Sequence, residues 1–253
     1  MSNPPPSPMH PVSQPLDDAA TMPLVITLAT KNTGKQRELM HWVEASGLPI
    51  TLAIHEAAPD VEETGQDFLE NAWLKAEQTA PVQPDGYVLA EDSGLVVDAL
   101  AGHYGLNPFP GLHSNRWLTP ALRDELLGNS HPNRMPLDRI SEAGVTNSDL
   151  CQGILKLLAG QSNRNGHYCC GMVLWHPQRG RCFEILESTE LQIIDEAPRG
   201  LNGFGYDPIT VPLNALGEPS PRTMAELSTA EKNAISHRGR AFQAVLAYLK
   251  TLP

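Results

Sequence analysis

The chain has 253 residues, 41% of them hydrophobic and 19% charged, enough to bury a sizeable core in one large domain or in two lobes that share a cleft. Its formal net charge of -11 excludes a general nucleic-acid binder, because affinity for a phosphate backbone comes from clustered Lys and Arg; an anionic ligand would need a local basic pocket. No run approaches the roughly twenty apolar residues that span a bilayer, and the four cysteines, Cys151, Cys169, Cys170 and Cys182, lack C-x-x-C spacing, which fits reduced thiols in a cytoplasmic protein.

Residues 1–22 are rich in Pro and Ser and have neither a basic start nor an apolar core, so they read as a disordered tail rather than a signal peptide. Met22 offers a later translation start. Leu24 to Ala29 is short, apolar and β-branched and predicts a buried strand. The loop from Thr30 to Gly34 then enters a helix with Leu39, Trp42 and Val43 on one stripe, a Ser46-Gly47 end, and Thr33 with Gln36 as a capping box. Leu48 to Ile54 predicts a second strand, and Thr64 with Asp67 opens a helix through Phe68, Ala72 and Ala76. Tyr87 to Ala90 predicts a third strand that runs into Glu91-Asp92-Ser93-Gly94 and places two carboxylates at a strand end, where α/β proteins build their sites.

Residues 119–147 carry little periodicity and many Pro, Asn and Arg, and predict an inserted excursion of loops with a short helix. A helix follows over Asp149 to Ala159, then strands at Tyr168 to His176, Arg181 to Leu186 and Leu191 to Ile194, spaced as antiparallel hairpins. His167 near Cys169 and Cys170 lacks the paired spacing of a zinc site and reads as part of a buried strand. Ser228 with Glu231 opens a last helix that buries Ile235, Phe242, Val245, Leu246 and Leu249. Early βα units followed by hairpins predict an α/β fold with a mixed sheet, from residue 23 to residue 253.

Ala29 to Lys35 is half of a P-loop, but Ala29 stands for the required glycine and Gln36 for the Ser or Thr. What remains is a strand–loop–helix junction offering backbone N–H groups, a positive dipole end and Lys35 to an anion. Asn71 and Lys75 lie one turn apart on a helix that follows Glu63, an arrangement able to serve a metal and a phosphate. The adjacent acids Glu91 and Asp92 repel unless a cation or a shared proton relieves them; joined by Glu63, they suit magnesium, which bridges carboxylates to phosphates. In Phe204-Gly205-Tyr206-Asp207, flexible backbone, two aromatics and an acid suit a planar base. Lys232 and Arg238 fall on different faces of a continuous helix at about 100° per residue, so either the helix breaks before Gly239 or the two meet different parts of one ligand.

These segments in this order, TKNTGKQREL, EETGQDFLENAWLKA, LAEDSGLVVDAL, PGLHSNRW, NGFGYDP and AELSTAEKNAISHRGRA, resemble the inosine triphosphate pyrophosphatase family over about Leu24 to Leu249. The resemblance implies an elongated mixed β-sheet with flanking helices, forming two lobes around a central cleft. It implies a homodimer, and magnesium-dependent cleavage of deaminated purine triphosphates to a monophosphate and pyrophosphate. Carried over by position, Lys35, Lys75 and Lys232 are phosphate contacts, with Lys75 counted among the catalytic residues. Glu63, Asp92 and Glu91 are the metal acids, and Asp92 also activates water. Thr30, Asn32 and Ser93 line the phosphate side, while Phe204, Gly205, Tyr206, Asp207, His237 and Arg238 hold the base. Glu91 stands where the family commonly has an aspartate, and Lys31 where the residue is usually small. The alternatives are a related pyrophosphatase for modified pyrimidine or methylated nucleotides and a nucleotide-binding module without catalysis.

Overall fold

The computed structural model describes residues 23–128, 140–141 and 144–252; the expected tail at 1–22 lies outside them. The first half runs β1 (Leu24–Leu28), α1 (Thr33–Ser46), β2 (Ile50–Ala53), α2 (Phe68–Thr79) and β3 (Tyr87–Val97). The second runs α3 (Pro120–Leu127), α4 (Asn147–Leu157), β4 (Asn165–His176), β5 (Gly180–Ile193), β6 (Thr210–Pro212), α5 (Thr229–Ile235) and α6 (His237–Leu249). The strands form one sheet in the order β2-β1-β3-β4-β5-β6. β1 pairs in parallel with β2 and β3, and the remaining neighbours are antiparallel, which makes the sheet mixed as the element order predicted. The excursion at 119–147 holds α3 as its short helix, with residues 129–139 and 142–143 outside the described set.

Side chains alternate across a strand, so the faces of β3 sort by parity. Leu89 joins Ile26, Leu39, Trp42, Met172 and Phe242 in one apolar cluster beneath α1 and α6. Val88 and Ala90 face the other way, against Ala72 and Ala76 of α2. Further along, Leu95 and Val97 enter a third cluster with Phe109, Trp117, Ile154 and Ile209. α2 sits close on the sheet because Gly171 of β4 has no side chain: a Cβ there would lie 2.6 Å from the Phe68 carbonyl carbon. Gly94 likewise admits the 111–114 segment, since its Cβ would meet the Gly111 oxygen at 2.4 Å.

Several local expectations change. α1 is capped by Asn32, whose Oδ1 accepts from the amides of Gly34 at 2.9 Å and Lys35 at 3.3 Å; a Thr33–Gln36 box is not used, and Gln36 Nε2 donates to the Thr30 carbonyl instead. Asp67, not Thr64, caps α2. β3 continues through Glu91 and Asp92 to Val97, because β4 lies antiparallel along that whole length and supplies partners. The two strands expected at 181–186 and 191–194 are one 14-residue strand, held by continuous pairing to β4 apart from one irregularity at Leu174/Trp175. The last helix is two helices that meet at Ser236, which is C-cap of α5 and N-cap of α6.

Candidate active site

β3 carries the site between its apolar stretches. Parity sends Asp92 to the α2 side, where Lys75 Nζ donates to its Oδ1 at 2.8 Å and Asn71 Nδ2 to its Oδ2 at 3.0 Å. Asn71 is fully buried, and its Oδ1 accepts from the Gly65 amide at 2.8 Å, so one side chain ties Asp92 to the loop that bears Glu63. Glu63 reaches the same ammonium, 2.5 Å from Lys75 Nζ, and its other oxygen pairs with Arg116 Nη1. Burial works to neutralise Lys75, but Asp92 and Glu63 outweigh it and hold the ammonium charged to well above its ordinary range. Burial also raises Glu63, and Lys75 with Arg116 more than reverses this.

Glu91, one residue away, lies on the opposite face. Its oxygens pair with Lys35 Nζ at 2.9 Å and Arg238 Nε at 3.2 Å, and Cys170 Sγ donates to it at 3.3 Å. The expected three-acid metal set is therefore not brought together: strand alternation turns Glu91 under the sheet, while Glu63 and Asp92 meet above it. Arg238 also donates to Glu38 at 2.7 Å and to Ser93 Oγ at 2.7 Å, and Glu38 accepts from Lys232 at 3.0 Å. Burial of Glu91 opposes its ionisation, yet Arg238 and Lys35 together hold its carboxyl far below the usual carboxylate range.

Two pockets meet along β3. One is lined by Thr30, Asn32, Lys35, Glu63, Lys75, Asp92, Ser93 and Arg116, the other by Phe204, Gly205, Tyr206, Asp207, Lys232, His237 and Arg238. Asn32, Lys35, Ser93, Ser114 and Asn115 line both, so the two form one groove. Every predicted site residue lines it except Glu91. Phe204 is half-buried, with Lys232 Nζ 5.2 Å and the Arg238 guanidinium 5.4 Å from its ring centre. His237 is stacked on Tyr168 at 5.1 Å, and burial together with neighbouring Arg238 keeps its ring neutral.

Two residues expected to hold a base have their polar atoms engaged by other groups of the protein. Tyr206 is buried, its hydroxyl donating to the Ser114 carbonyl at 2.5 Å and accepting from Trp117 Nε1 at 2.9 Å. Asp207 Oδ2 accepts from the Phe204 amide at 2.9 Å and Lys232 Nζ at 2.8 Å; the positive φ of Gly203, +77°, and its missing side chain make room for that carboxylate. The helix start at α1 also differs from expectation, since Asn32 already occupies the amides of Gly34 and Lys35, leaving the Lys35 side chain and the dipole to attract an anion.

The sequence model of the Ham1 family, matched over residues 26–248, spans β1 to α6 and every residue of this groove. The chain belongs to the Ham1 family. It is 38% identical over 222 residues to a dITP/XTP pyrophosphatase of Geobacillus kaustophilus, covering 85% of this chain and 89% of that protein. A dITP/XTP pyrophosphatase of Bacillus licheniformis is 35% identical over 229 residues, covering 88% of this chain and 97% of the relative. Among solved structures, a HAM1 protein from Coxiella burnetii aligns with a TM-score of 0.66 at 31% identity, over 90% of this chain and 100% of that one.

In this Ham1 chain Glu38, Ser114, Asn115 and Arg116 join the site without a role expected from the sequence. Glu38 had a local signal, standing one helical turn after Lys35, the spacing that puts two side chains on one face. Arg116 stands in the PGLHSNRW segment, but its partner Glu63 is 53 residues away, so no local pattern pointed to the pair.

The buried carboxylates make stability depend on acid. Glu38, Glu63 and Glu91 each ionise below their ordinary value of 4.5 when folded. The unfolded chain therefore takes up more protons as pH falls, so this stabilisation is complete above about pH 5 and is lost as pH falls through and below that ordinary value. The urea midpoint is expected to stay level from about pH 7 to about pH 5 and to drop steeply below it. A midpoint unchanged well below the ordinary carboxylate value would show that these three pairs contribute nothing net.

Proposed function

We propose that this Ham1-family chain hydrolyses deaminated purine nucleoside triphosphates, of the inosine and xanthosine type, to the monophosphate and pyrophosphate. The observation that carries the reading is the groove: a carboxylate–lysine pocket continuous with a cation-flanked aromatic pocket fits a triphosphate joined to a planar base. The names of the relatives support the reaction and the base class.

Magnesium belongs to this reading. Glu63 and Asp92 offer hard oxygen donors from two separate elements, and both already converge on one positive charge, Lys75 Nζ, at 2.5 and 2.8 Å. Among the described residues no group of three or more His, Cys, Asp and Glu gathers; magnesium is commonly bound by one or two carboxylates together with substrate phosphates and water. Bound there by Glu63 and Asp92, magnesium would supply charge neutralisation at the phosphate oxygens.

The protein's own groups perform the remaining work. Lys35, Lys75 and Arg116 surround the phosphate pocket and bind its negative charge. Asp92, aimed by Asn71 and Lys75, orients a water and accepts its proton as the water oxygen bonds to the α-phosphorus. The bond from that phosphorus to the bridging oxygen breaks, and pyrophosphate leaves with the electron pair. Phe204 offers a face for stacking. Lys232, expected as a phosphate contact, lines the aromatic pocket and not the carboxylate–lysine pocket, so with Arg238 it offers donors that suit a 6-keto oxygen and meet an adenine amino group unfavourably. A homodimer is carried over from the family resemblance, and a cytoplasmic setting from the cysteine spacing.

The test is pyrophosphate release from inosine, xanthosine, adenosine and guanosine triphosphates, with magnesium and with chelator. Metal-dependent release from the inosine and xanthosine compounds alone is expected. Preferential release from another base overturns the base assignment and keeps the chemistry; tight binding of inosine triphosphate without release overturns the chemistry.

A further inference from the structure

Lys232 and Arg238 are six residues apart, and an unbroken helix would set them about 120° apart around its axis. Both nevertheless bond Glu38, at 3.0 and 2.7 Å, and both line the aromatic pocket. The break at Ser236, with φ −69° and ψ 130°, makes this possible. An unbroken helix would also pair the Ile235 carbonyl with the Gly239 amide. Here the Gly239 amide donates to Ser236 Oγ at 3.3 Å, and the Ile235 carbonyl needs other donors.

β5 and α6 provide them. Thr189 Oγ1 donates to the Ile235 carbonyl at 2.8 Å, and Arg240 Nη1 donates to it at 2.8 Å. Arg240 further donates through Nε to Glu187 at 2.9 Å and through Nη2 to the Ser188 carbonyl. One guanidinium thus fastens the last carbonyl of α5 to two successive residues of β5, from the first turn of α6. Neither Thr189 nor Arg240 lines the groove.

We propose that Arg240 and Thr189 are positioning residues that hold the α5–α6 break open and thereby aim Lys232 and Arg238 into the base pocket. The kinetic consequence rests on the nucleotide reading above; the geometric one does not. Removing the donors leaves a carbonyl to recover its partner by restoring helical pairing to the Gly239 amide, which rotates Arg238 away from Lys232.

The experiment compares the parent with Thr189→Ser and with the double variant Thr189→Val, Arg240→Gln. The double variant is expected to raise KM for inosine triphosphate about tenfold, the scale of charge-assisted hydrogen bonds lost, and to change kcat no more than about twofold. Asp92, Lys75 and Glu63 stand on β3, on α2 and in the loop before α2, and neither Thr189 nor Arg240 bonds any of them, so the chemical step keeps its geometry. Thr189→Ser, which keeps the hydroxyl, is expected to match the parent. Without any nucleotide, the Ser236 Cα and Cβ chemical shifts are expected to move from extended towards helical in the double variant. A lower melting temperature with unchanged KM and unchanged Ser236 shifts overturns the proposal and leaves the pair a purely stabilising role. Moved shifts in a protein whose parent does not turn over inosine triphosphate uphold the clamp and overturn the nucleotide reading.

Discussion

Asp92→Asn is expected to lower kcat for inosine triphosphate by roughly a thousandfold, in the range that removal of a positioned general base produces. The substitution keeps the side-chain volume, an acceptor for Lys75 and the place opposite Gly171 in the β3–β4 pairing. What it removes is the basicity that takes the proton from water and one of two negative charges that face Lys75 Nζ. The fold is expected to persist, because the ammonium keeps Glu63 at 2.5 Å. Circular dichroism and thermal melting of the variant beside its turnover rate separate the two effects. A rate within tenfold of the parent, in folded protein, would remove Asp92 from the proton transfer.

Glu91→Leu is expected to cost about 3–5 kcal/mol of folding stability. Glu91 is 2% exposed and pairs with two cations that are themselves buried, Lys35 at 7% and Arg238 at 5%. Leucine fills much of the same space, so the loss comes from leaving largely buried positive charge without its carboxylate. Glu38 still neutralises Arg238, which leaves Lys35 as the more exposed casualty. Glu91→Gln, which removes charge and keeps a polar group, is expected to lose less than the leucine variant. Equilibrium urea unfolding checks both, and a leucine variant within about 1 kcal/mol of the parent would mean that the ion pairs merely offset their own desolvation.

Much of the architecture was legible because the signals are local. Short β-branched runs mark β1 and β3, the Leu39, Trp42 and Val43 stripe marks α1, and the Ser228–Glu231 capping box is formed. The change from βα units to hairpins predicted a mixed sheet, and β3 sits at the point where parallel pairing gives way to antiparallel. The groove residues were legible through ordered motifs, in which charged and glycine-rich segments recur at strand and helix ends.

Other features depend on partners distant in sequence. That β3 continues through two acids follows from β4, about eighty residues on, which satisfies its backbone. Local propensity reads Glu-Asp-Ser-Gly as a turn, and only pairing overrides it. The Tyr206 hydroxyl is engaged by Trp117 and Ser114, about ninety residues away in sequence, which no local reading of the NGFGYDP segment contains.

The sequence by itself determined most of the elements, their α/β order and the inventory of charged groups, because periodicity, caps and motif spacing act within a few residues. The tertiary structure decided which of those charges meet. Alternation along β3 parts Glu91 from Asp92, giving one to Lys35 and Arg238 and the other to Lys75 and Asn71. The break at Ser236, whose orphaned carbonyl is met by β5, brings Lys232 and Arg238 onto one carboxylate. Both outcomes depend on buried charges and backbone groups finding partners across the fold, a demand that no window of sequence contains.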